Sequence, residues 1–189
     1  MSLTRRGALV PLAAIPALPL WSVPALAQRP PLALTPECRD GAEPTASVTE
    51  GPYFRPDAPL KSDLAADAPQ GEPIVIGGFV LDPACRPVRG ALIQIWHADD
   101  AGHYDNRGHK LRGHQFTDER GAWAFSTIIP AAYWSRTRHY HFKVQRRGGR
   151  ELTTQLYLPD EARNRGDREF DPRLAAEGGR SGCFDFVIA

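Results

Sequence analysis

Short apolar stretches, separated by polar, glycine and proline residues, make up most of the chain after residue 73. Stretches of this length, bounded by turn-forming residues, are typical of β-strands. Six of them, without alternating helical segments, predict an all-β fold, mainly an antiparallel β-sandwich. The predicted strands are Ile74 to Leu81, Ala91 to Trp96, Ala122 to Ile128, His139 to Val144, Leu152 to Leu158 and Cys183 to Ile188.

Two longer segments lack the periodicity of a strand or a helix. Residues 28–67 are rich in proline, alanine and aspartate, and they predict an extended N-terminal arm ahead of a β-sandwich domain over residues 68–189. The charged stretch from Pro159 to Arg180 is interrupted by glycine. It predicts a loop with a short helix, inserted before the last strand.

The first 27 residues are typical of an export signal. Arg5 and Arg6 give a charged start, the next 21 residues carry no charge, and Ala25-Leu26-Ala27 offers small residues for cleavage. The adjacent arginines fit a twin-arginine signal, which exports folded proteins, although the phenylalanine that usually follows is missing. We expect an exported protein, periplasmic or extracellular after cleavage.

A membrane anchor is the alternative interpretation of the same stretch, since 21 uncharged residues are long enough to span a bilayer. Four prolines interrupt the stretch and would break a helix there. We therefore expect no stable membrane anchor. The prolines are Pro11, Pro16, Pro19 and Pro24.

Charge is nearly balanced along the chain. Its 189 residues include 23 lysines and arginines and 22 acidic residues, which argues against nucleic acid as a partner. Removal of residues 1–27, with two arginines and no acidic residue, leaves 162 residues with 21 basic and 22 acidic side chains. That length suits one well-buried core.

The three cysteines, Cys38, Cys85 and Cys183, are widely spaced and form no CxxC pair. A structural zinc site of the thiolate kind is therefore not expected. In an oxidising compartment two of them can form a disulfide, but the sequence does not choose the pair. Three buried free thiols are the alternative.

A His-x-His pair is the first sign of chemistry. His139 and His141 lie two residues apart in a predicted strand, so both point to one face while Tyr140 and Phe142 pack on the other. Both imidazoles can then reach one metal ion, and two histidines lining a polar sheet face are the alternative. Three other histidines in a glycine- and arginine-rich loop are expected to be solvated: His103, His109 and His114.

Two tyrosines follow predicted strands. Tyr104 comes after the strand that ends at Trp96, and Tyr133 lies six residues before His139. A phenol bound to a strongly Lewis-acidic cation loses its proton and becomes an anionic ligand. Two phenolates with two imidazoles suit ferric iron better than magnesium, calcium or thiolate-bound zinc. Half-buried aromatic residues are the alternative.

Several further motifs accompany these residues in a fixed order: Gly51-Pro52-Tyr53, Gly77-Gly78-Phe79-Val80-Leu81-Asp82, Pro87-Val88-Arg89-Gly90-Ala91, Ile95-Trp96-His97-Ala98-Asp99, Gly102-His103-Tyr104, Arg112-Gly113, Thr117-Asp118, Tyr133, Arg136-Thr137, His139-Tyr140-His141-Phe142 and Thr153-Thr154-Gln155. This order, over roughly residues 50–158, resembles that of the intradiol ring-cleavage dioxygenases. The resemblance is strongest to the short secreted relatives of the protocatechuate and catechol enzymes.

The resemblance implies a non-haem Fe(III) enzyme. Such an enzyme cleaves a small aromatic diol between its two hydroxyl carbons with dioxygen, and the product is a muconate-type dicarboxylate. Tyr104, Tyr133, His139 and His141 would be the metal ligands, and Tyr133 would leave the metal when the substrate binds.

The resemblance also implies roles around the metal. Arg136 would stabilise the charge that develops on the ring, and Gln155 would lie beside the ligand histidine and the substrate. Gly51, Pro52 and Tyr53 would line the substrate pocket. Only five residues separate Tyr133 from His139, which predicts a more open pocket than that of larger relatives.

Part of the motif series also occurs in transthyretin-like binding modules, which have no catalysis and are the competing hypothesis. A zinc hydrolase is disfavoured because no acidic residue stands at metal-site spacing to act as a base. Protocatechuate, catechol and hydroxyquinol all stay open as substrates, and a homo-oligomer is possible.

Overall fold

The computed structural model describes residues 41–177 and 181–189, all within one compact unit, Leu32–Ala189. In these ranges the chain forms strands joined by loops and by short 3-10 helices over Ala65–Asp67, Ala162–Gly166 and Pro172–Leu174. The strands are β1 (Pro73–Leu81), β2 (Leu92–Trp96), β3 (Arg112–Phe116), β4 (Ala122–Ile128), β5 (His139–Gln145), β6 (Glu151–Tyr157), β7 (Ser181–Cys183) and β8 (Phe186–Val187).

The strands form two sheets. In one sheet β1 lies between β4 and β7 and also pairs with β8, and the other sheet has the order β3-β2-β5-β6. Pairing is antiparallel in the second sheet and between β1 and β4, whereas β7 and β8 run parallel to β1. The prediction of an all-β, mainly antiparallel sandwich is confirmed.

The core lies between the two sheets. Aromatic side chains from three strands meet at its centre, where the Trp123 ring lies 5.4 Å from Phe142 and 5.2 Å from Phe186. β5 supplies Tyr140, Phe142 and Val144 to this core, all fully buried. Burial of large apolar and aromatic side chains is the main stabilising contribution to such a fold.

The opposite face of β5 is also buried, because the described part of the N-terminal arm covers it. Val48 N–H donates to the carbonyl of Thr153, and the Lys143 ammonium pairs with Glu50 at 2.9 Å. Farther along, Leu64 is fully buried and its N–H donates to the carbonyl of Ser126 in β4. Residues 41–67 are therefore hydrogen-bonded to both sheets.

Two strand predictions were wrong. The sequence predicts a solvated loop around His114, but Arg112–Phe116 pairs with β2 as β3. His114 is half-buried there, with its Nδ1 2.8 Å from the carbonyl oxygen of Ala58. The run Cys183 to Ile188 is not one strand but two, β7 and β8, both on β1. Both errors have one cause: backbone pairing with a neighbouring strand, rather than side-chain periodicity, defines these short strands.

Two of the three cysteines lie within the described residues, and they differ in oxidation state. Cys85 is disulfide-bonded, whereas Cys183 is a free thiol. Cys38 and the predicted export signal lie outside the described residues. No helix in the described ranges is long and apolar enough to cross a membrane.

Gly113 lies where the arm packs against β3, so a substitution at this position tests that contact. A Cβ at this position would lie 2.2 Å from the carbonyl oxygen of Lys61 in the arm. Gly113→Ala should therefore lower the free energy of unfolding by about 1–3 kcal/mol, the usual cost of overpacking, in urea denaturation. Gly166→Ala is the control, since nothing lies within 4 Å of its Cβ. Equal unfolding midpoints for the two variants would show that the arm is not tightly seated.

Candidate active site

Four side chains converge at the start of β5, as the sequence predicts. The Nε2 atoms of His139 and His141 lie 3.1 Å apart, and the Tyr104 hydroxyl is 3.5 Å from Nε2 of His139. The Tyr133 ring lies 5.5 Å from that of Tyr104 and 5.7 Å from that of His139, between centroids. The loops after β2 and β4 carry the tyrosines to the two histidines.

Hydrogen bonding fixes the orientation of the first imidazole. The Nδ1 of His139 lies 2.7 Å from the carbonyl oxygen of Thr137, which can only accept, so Nδ1 carries the proton and the Nε2 lone pair faces the site. Burial, together with the charge of Arg136, lowers the pKa of His139 to about 4. The imidazole is therefore neutral at neutral pH, as a metal ligand must be.

The second imidazole is held by packing. His141 stacks on Trp96 with ring centroids 5.0 Å apart, and its Nδ1 is buried without a hydrogen-bond partner in the described chain. Burial, and then the neighbouring His139, keeps the pKa of His141 well below its usual value. Two neutral imidazoles whose Nε2 atoms lie this close are better suited to share one cation than to hydrogen-bond to each other.

The tyrosines supply the oxygen atoms. Burial raises the pKa of both Tyr104 and Tyr133, and the Tyr133 hydroxyl adds to the effect on Tyr104. Both are neutral phenols unless a cation displaces the proton. Within the described ranges, no group of three or more His, Cys, Asp or Glu could hold a metal. The two phenols are oxygen-bearing side chains beside the imidazoles. This donor set fits a ferric ion.

The arm segment Gly51-Pro52-Tyr53 closes one side of the site. The Tyr53 ring stacks on Tyr104 at 4.3 Å between centroids and meets Tyr133 edge-on at 6.2 Å. Gly51 has a φ of +72°, and a Cβ there would lie 3.3 Å from Cε1 of His141. Glycine therefore allows the arm to approach the imidazole closely. Pro52 is exposed.

Arg136 and Gln155 lie together beside the four side chains. The Nη2 of Arg136 donates to Oε1 of Gln155 at 2.5 Å, and Gln155 faces His141 across the β5–β6 pair. The Arg136 side chain is only 12% exposed, which excludes a solvated strand-end arginine. The structure thus brings both predicted residues to the site.

Sequence reasoning missed the carboxylates that hold Arg136. Asp167 accepts from Nε of Arg136 at 3.0 Å, and Glu169 lies 3.2 Å from Nη1. The Tyr157 hydroxyl oxygen also lies 2.7 Å from Oε1 of Gln155. Both acids belong to the inserted loop, where nothing in the local sequence distinguishes them from the surrounding charged residues.

A buried arginine was also missed. Arg112, which is 1% exposed, donates from Nη1 to the carbonyl of Tyr53 at 2.7 Å and from Nε to the carbonyl of Asp105 at 3.0 Å. It therefore ties the arm to the loop that carries Tyr104.

The remaining histidines stand apart from this group. His97 is buried, and its ring nitrogens form hydrogen bonds with the Thr127 hydroxyl and the carbonyl of Ala98. His103 is exposed, as expected, and His109 is half-buried. A cavity of about 400 Å³ beside the described start of the arm contains none of the site side chains.

Trp134, which follows Tyr133 in the chain, lies at the surface. It is 92% exposed, has a φ of +47°, and lies in a turn that the N–H of Arg136 closes onto the carbonyl of Tyr133. A bulky residue in the left-handed region is uncommon and strained. The five-residue connection before His139 is thus a tight turn with an exposed ring.

Comparison with known proteins agrees with this geometry. A family model described as "Dioxygenase" matches residues 49–167, more than half of the chain. The protocatechuate 3,4-dioxygenase beta chain of Burkholderia cepacia is 36% identical over 127 residues, which cover 53% of this chain and 53% of the relative. Hydroxyquinol 1,2-dioxygenase of Rhodococcus opacus is 34% identical over 152 residues, which cover 67% and 50%. The chain spans about half the length of these curated relatives.

Solved structures share the fold. The dioxygenase domain of a dioxygenase carbohydrate-binding protein fusion from Streptomyces sp. SirexAA-E is 46% identical with a TM-score of 0.74, and the match covers 77% of this chain and 98% of that one. Chlorocatechol 1,2-dioxygenase from Pseudomonas putida is 29% identical with a TM-score of 0.69, covering 78% and 73%. The chain belongs to the intradiol ring-cleavage dioxygenase family.

Proposed function

We propose that the protein is a non-haem Fe(III) dioxygenase that cleaves a catechol-type ring between its two hydroxyl carbons to give a muconate-type dicarboxylate. The observation that carries the proposal is the convergence of two imidazole Nε2 atoms and two tyrosine hydroxyls at the start of β5. A transthyretin-like binding module needs no such donor set.

Tyr104, Tyr133, His139 and His141 would hold the iron. A ferric ion bound there would supply a Lewis acid that accepts electron density from the two catechol oxygens and so makes the ring reactive toward dioxygen. Neighbouring residues hold three of these four side chains in position. Thr137 orients His139, Trp96 fixes the plane of His141, and Tyr53 fixes the plane of Tyr104.

A catechol that binds through both oxygens must release two protons. Tyr133 is suited to accept one on its oxygen, since burial favours its neutral form and it lies in a turn at the surface. Solvent water or hydroxide would take the other proton. Protonation of Tyr133 would keep the charge of the site nearly constant while the catechol oxygens become anionic.

Arg136 is suited to stabilise negative charge on the ring. Its guanidinium is fixed by Asp167, Gln155 and Glu169, so little reorganisation is needed when charge develops. The substrate class proposed is a small aromatic diol. Relatives are named for protocatechuate, hydroxyquinol and catechol.

The ligand assignment predicts a coloured protein. Phenolate-to-ferric charge transfer absorbs strongly in visible light, so iron-loaded protein should be burgundy, and Tyr104→Phe or His141→Ala should lose both the colour and the iron. Tyr140→Phe is the matched control, because this buried tyrosine of β5 points into the core. Visible spectra with iron analysis make the test. Colourless iron-loaded wild type, or colour retained in both ligand variants, would contradict the assignment.

Arg136→Ala should keep the iron but lower kcat/KM for a catechol by roughly 10²-fold, the scale for one preorganised electrostatic contact. Arg138→Ala is the control. Its side chain is 41% exposed and pairs with Glu161. Steady-state oxygen uptake with iron analysis makes the comparison, and wild-type turnover in Arg136→Ala would show that this arginine is structural.

We also propose export by the folded route. Changing Arg5 and Arg6 to lysine should then leave the protein in the cytoplasm, because the twin-arginine pathway requires the arginine pair. Fractionation with immunoblotting measures the distribution. Normal export of the double variant would favour the general pathway for unfolded chains.

A further inference from the structure

We propose that Glu169 makes this site discriminate by charge, favouring catechols with neutral or cationic ring substituents over those that carry a carboxylate. The inference rests on the proposed function and names the substrate class of the same site. It follows from the contacts of Glu169, from the charge balance around Arg136, and from the burial and partners of the neighbouring arginines.

Glu169 is held at the site by contacts of its side chain and of its backbone. Its Oε2 lies 3.2 Å from Nη1 of Arg136 and accepts from Nε2 of Gln155 at 3.2 Å. Its carbonyl accepts from the Tyr157 hydroxyl at 2.7 Å. Its charge also acts on Tyr133, where it adds to the effect of burial in raising the pKa of that phenol. The carboxylate thus lies beside Arg136 and acts on Tyr133, the two residues proposed to respond to the substrate.

The charges beside the substrate position do not cancel. Arg136 contributes one positive charge, while Asp167 and Glu169 each contribute a negative charge. Burial opposes ionisation of Asp167, but hydrogen bonds from the N–H groups of Glu169 and Thr137 and from Arg136 outweigh it and lower its pKa. The three groups therefore sum to one net negative charge.

Asp167 and Glu169 differ in burial, and this difference determines which carboxylate a substrate can contact. The Asp167 side chain is 1% exposed and is engaged by Arg136 and the Thr137 N–H, whereas that of Glu169 is 38% exposed. Glu169 is thus the more accessible of the two carboxylates that contact Arg136. A substrate carboxylate placed beside it would meet a like charge and would also compete for a guanidinium that already has two anionic partners.

The other arginines on the site segments are not placed to bind a substrate carboxylate. Arg112 has no carboxylate partner and its Nη2 has no hydrogen-bond partner in the described chain, but it is 1% exposed and its other nitrogens donate to backbone carbonyls. Arg138 pairs with Glu161. The Arg163 guanidinium donates to the carbonyl of Trp134. Arg165 and Arg168 on the inserted loop are exposed, where solvent and salt screen their charges.

The test compares three catechols that differ at ring position 4: protocatechuate (carboxylate), 4-methylcatechol (neutral) and 4-(2-aminoethyl)catechol (cation). Each kcat/KM is measured in iron-loaded wild type and in Glu169→Gln, which retains an amide oxygen to accept from Arg136. The ratio of variant to wild type for each substrate cancels the electronic effect of the substituent on the ring.

We expect Glu169→Gln to raise kcat/KM for protocatechuate relative to 4-methylcatechol about tenfold, through KM, and to lower it for the aminoethyl compound several-fold. Both changes should shrink with added salt, as expected for charges near solvent. Glu161→Gln, on the same loop but paired with Arg138, is the control and should leave the ratios unchanged.

Two failures are distinguishable. If iron-loaded wild type cleaves none of the three diols, the proposed function fails. If wild type cleaves them but Glu169→Gln changes all three equally or not at all, Glu169 has only a structural role and the inference is overturned.

Discussion

β5 is buried on both faces, and the candidate site depends on this constraint. Tyr140 and Phe142 pack into the core between the sheets, and strand alternation then sends His139 and His141 to the opposite face. That face would be open to solvent without the arm, which pairs with β6 near Val48. Core packing therefore fixes where the imidazoles lie, and the arm determines how far they are shielded from water.

The same burial sets the electrostatics of the site. Desolvation keeps His139 and His141 neutral and keeps the phenols of Tyr104 and Tyr133 protonated, so these four side chains carry no charge before a cation binds. The charge balance at Arg136 is different, because two carboxylates compensate this one guanidinium. A neutral donor set beside a net negative group suits a highly charged cation.

The elements that sequence could predict are those with strong side-chain patterns. The His-x-His pair and its two tyrosines were found because a period of two and a fixed order of motifs are local signals. β3 could not be found, since Arg112–Phe116 is mostly polar and exists through pairing with β2 and the arm. Asp167 and Glu169 were missed for a related reason: only the folded loop brings them to Arg136.

The central claim is that this chain uses dioxygen to break the bond between the two hydroxyl-bearing carbons. Incubating iron-loaded protein with catechol under isotopically labelled dioxygen, followed by mass spectrometry of the product, tests it most directly. The account predicts a muconate that carries labelled oxygen in both carboxyl groups. A semialdehyde from cleavage beside the diol, a quinone without incorporated label, or unchanged catechol would contradict it.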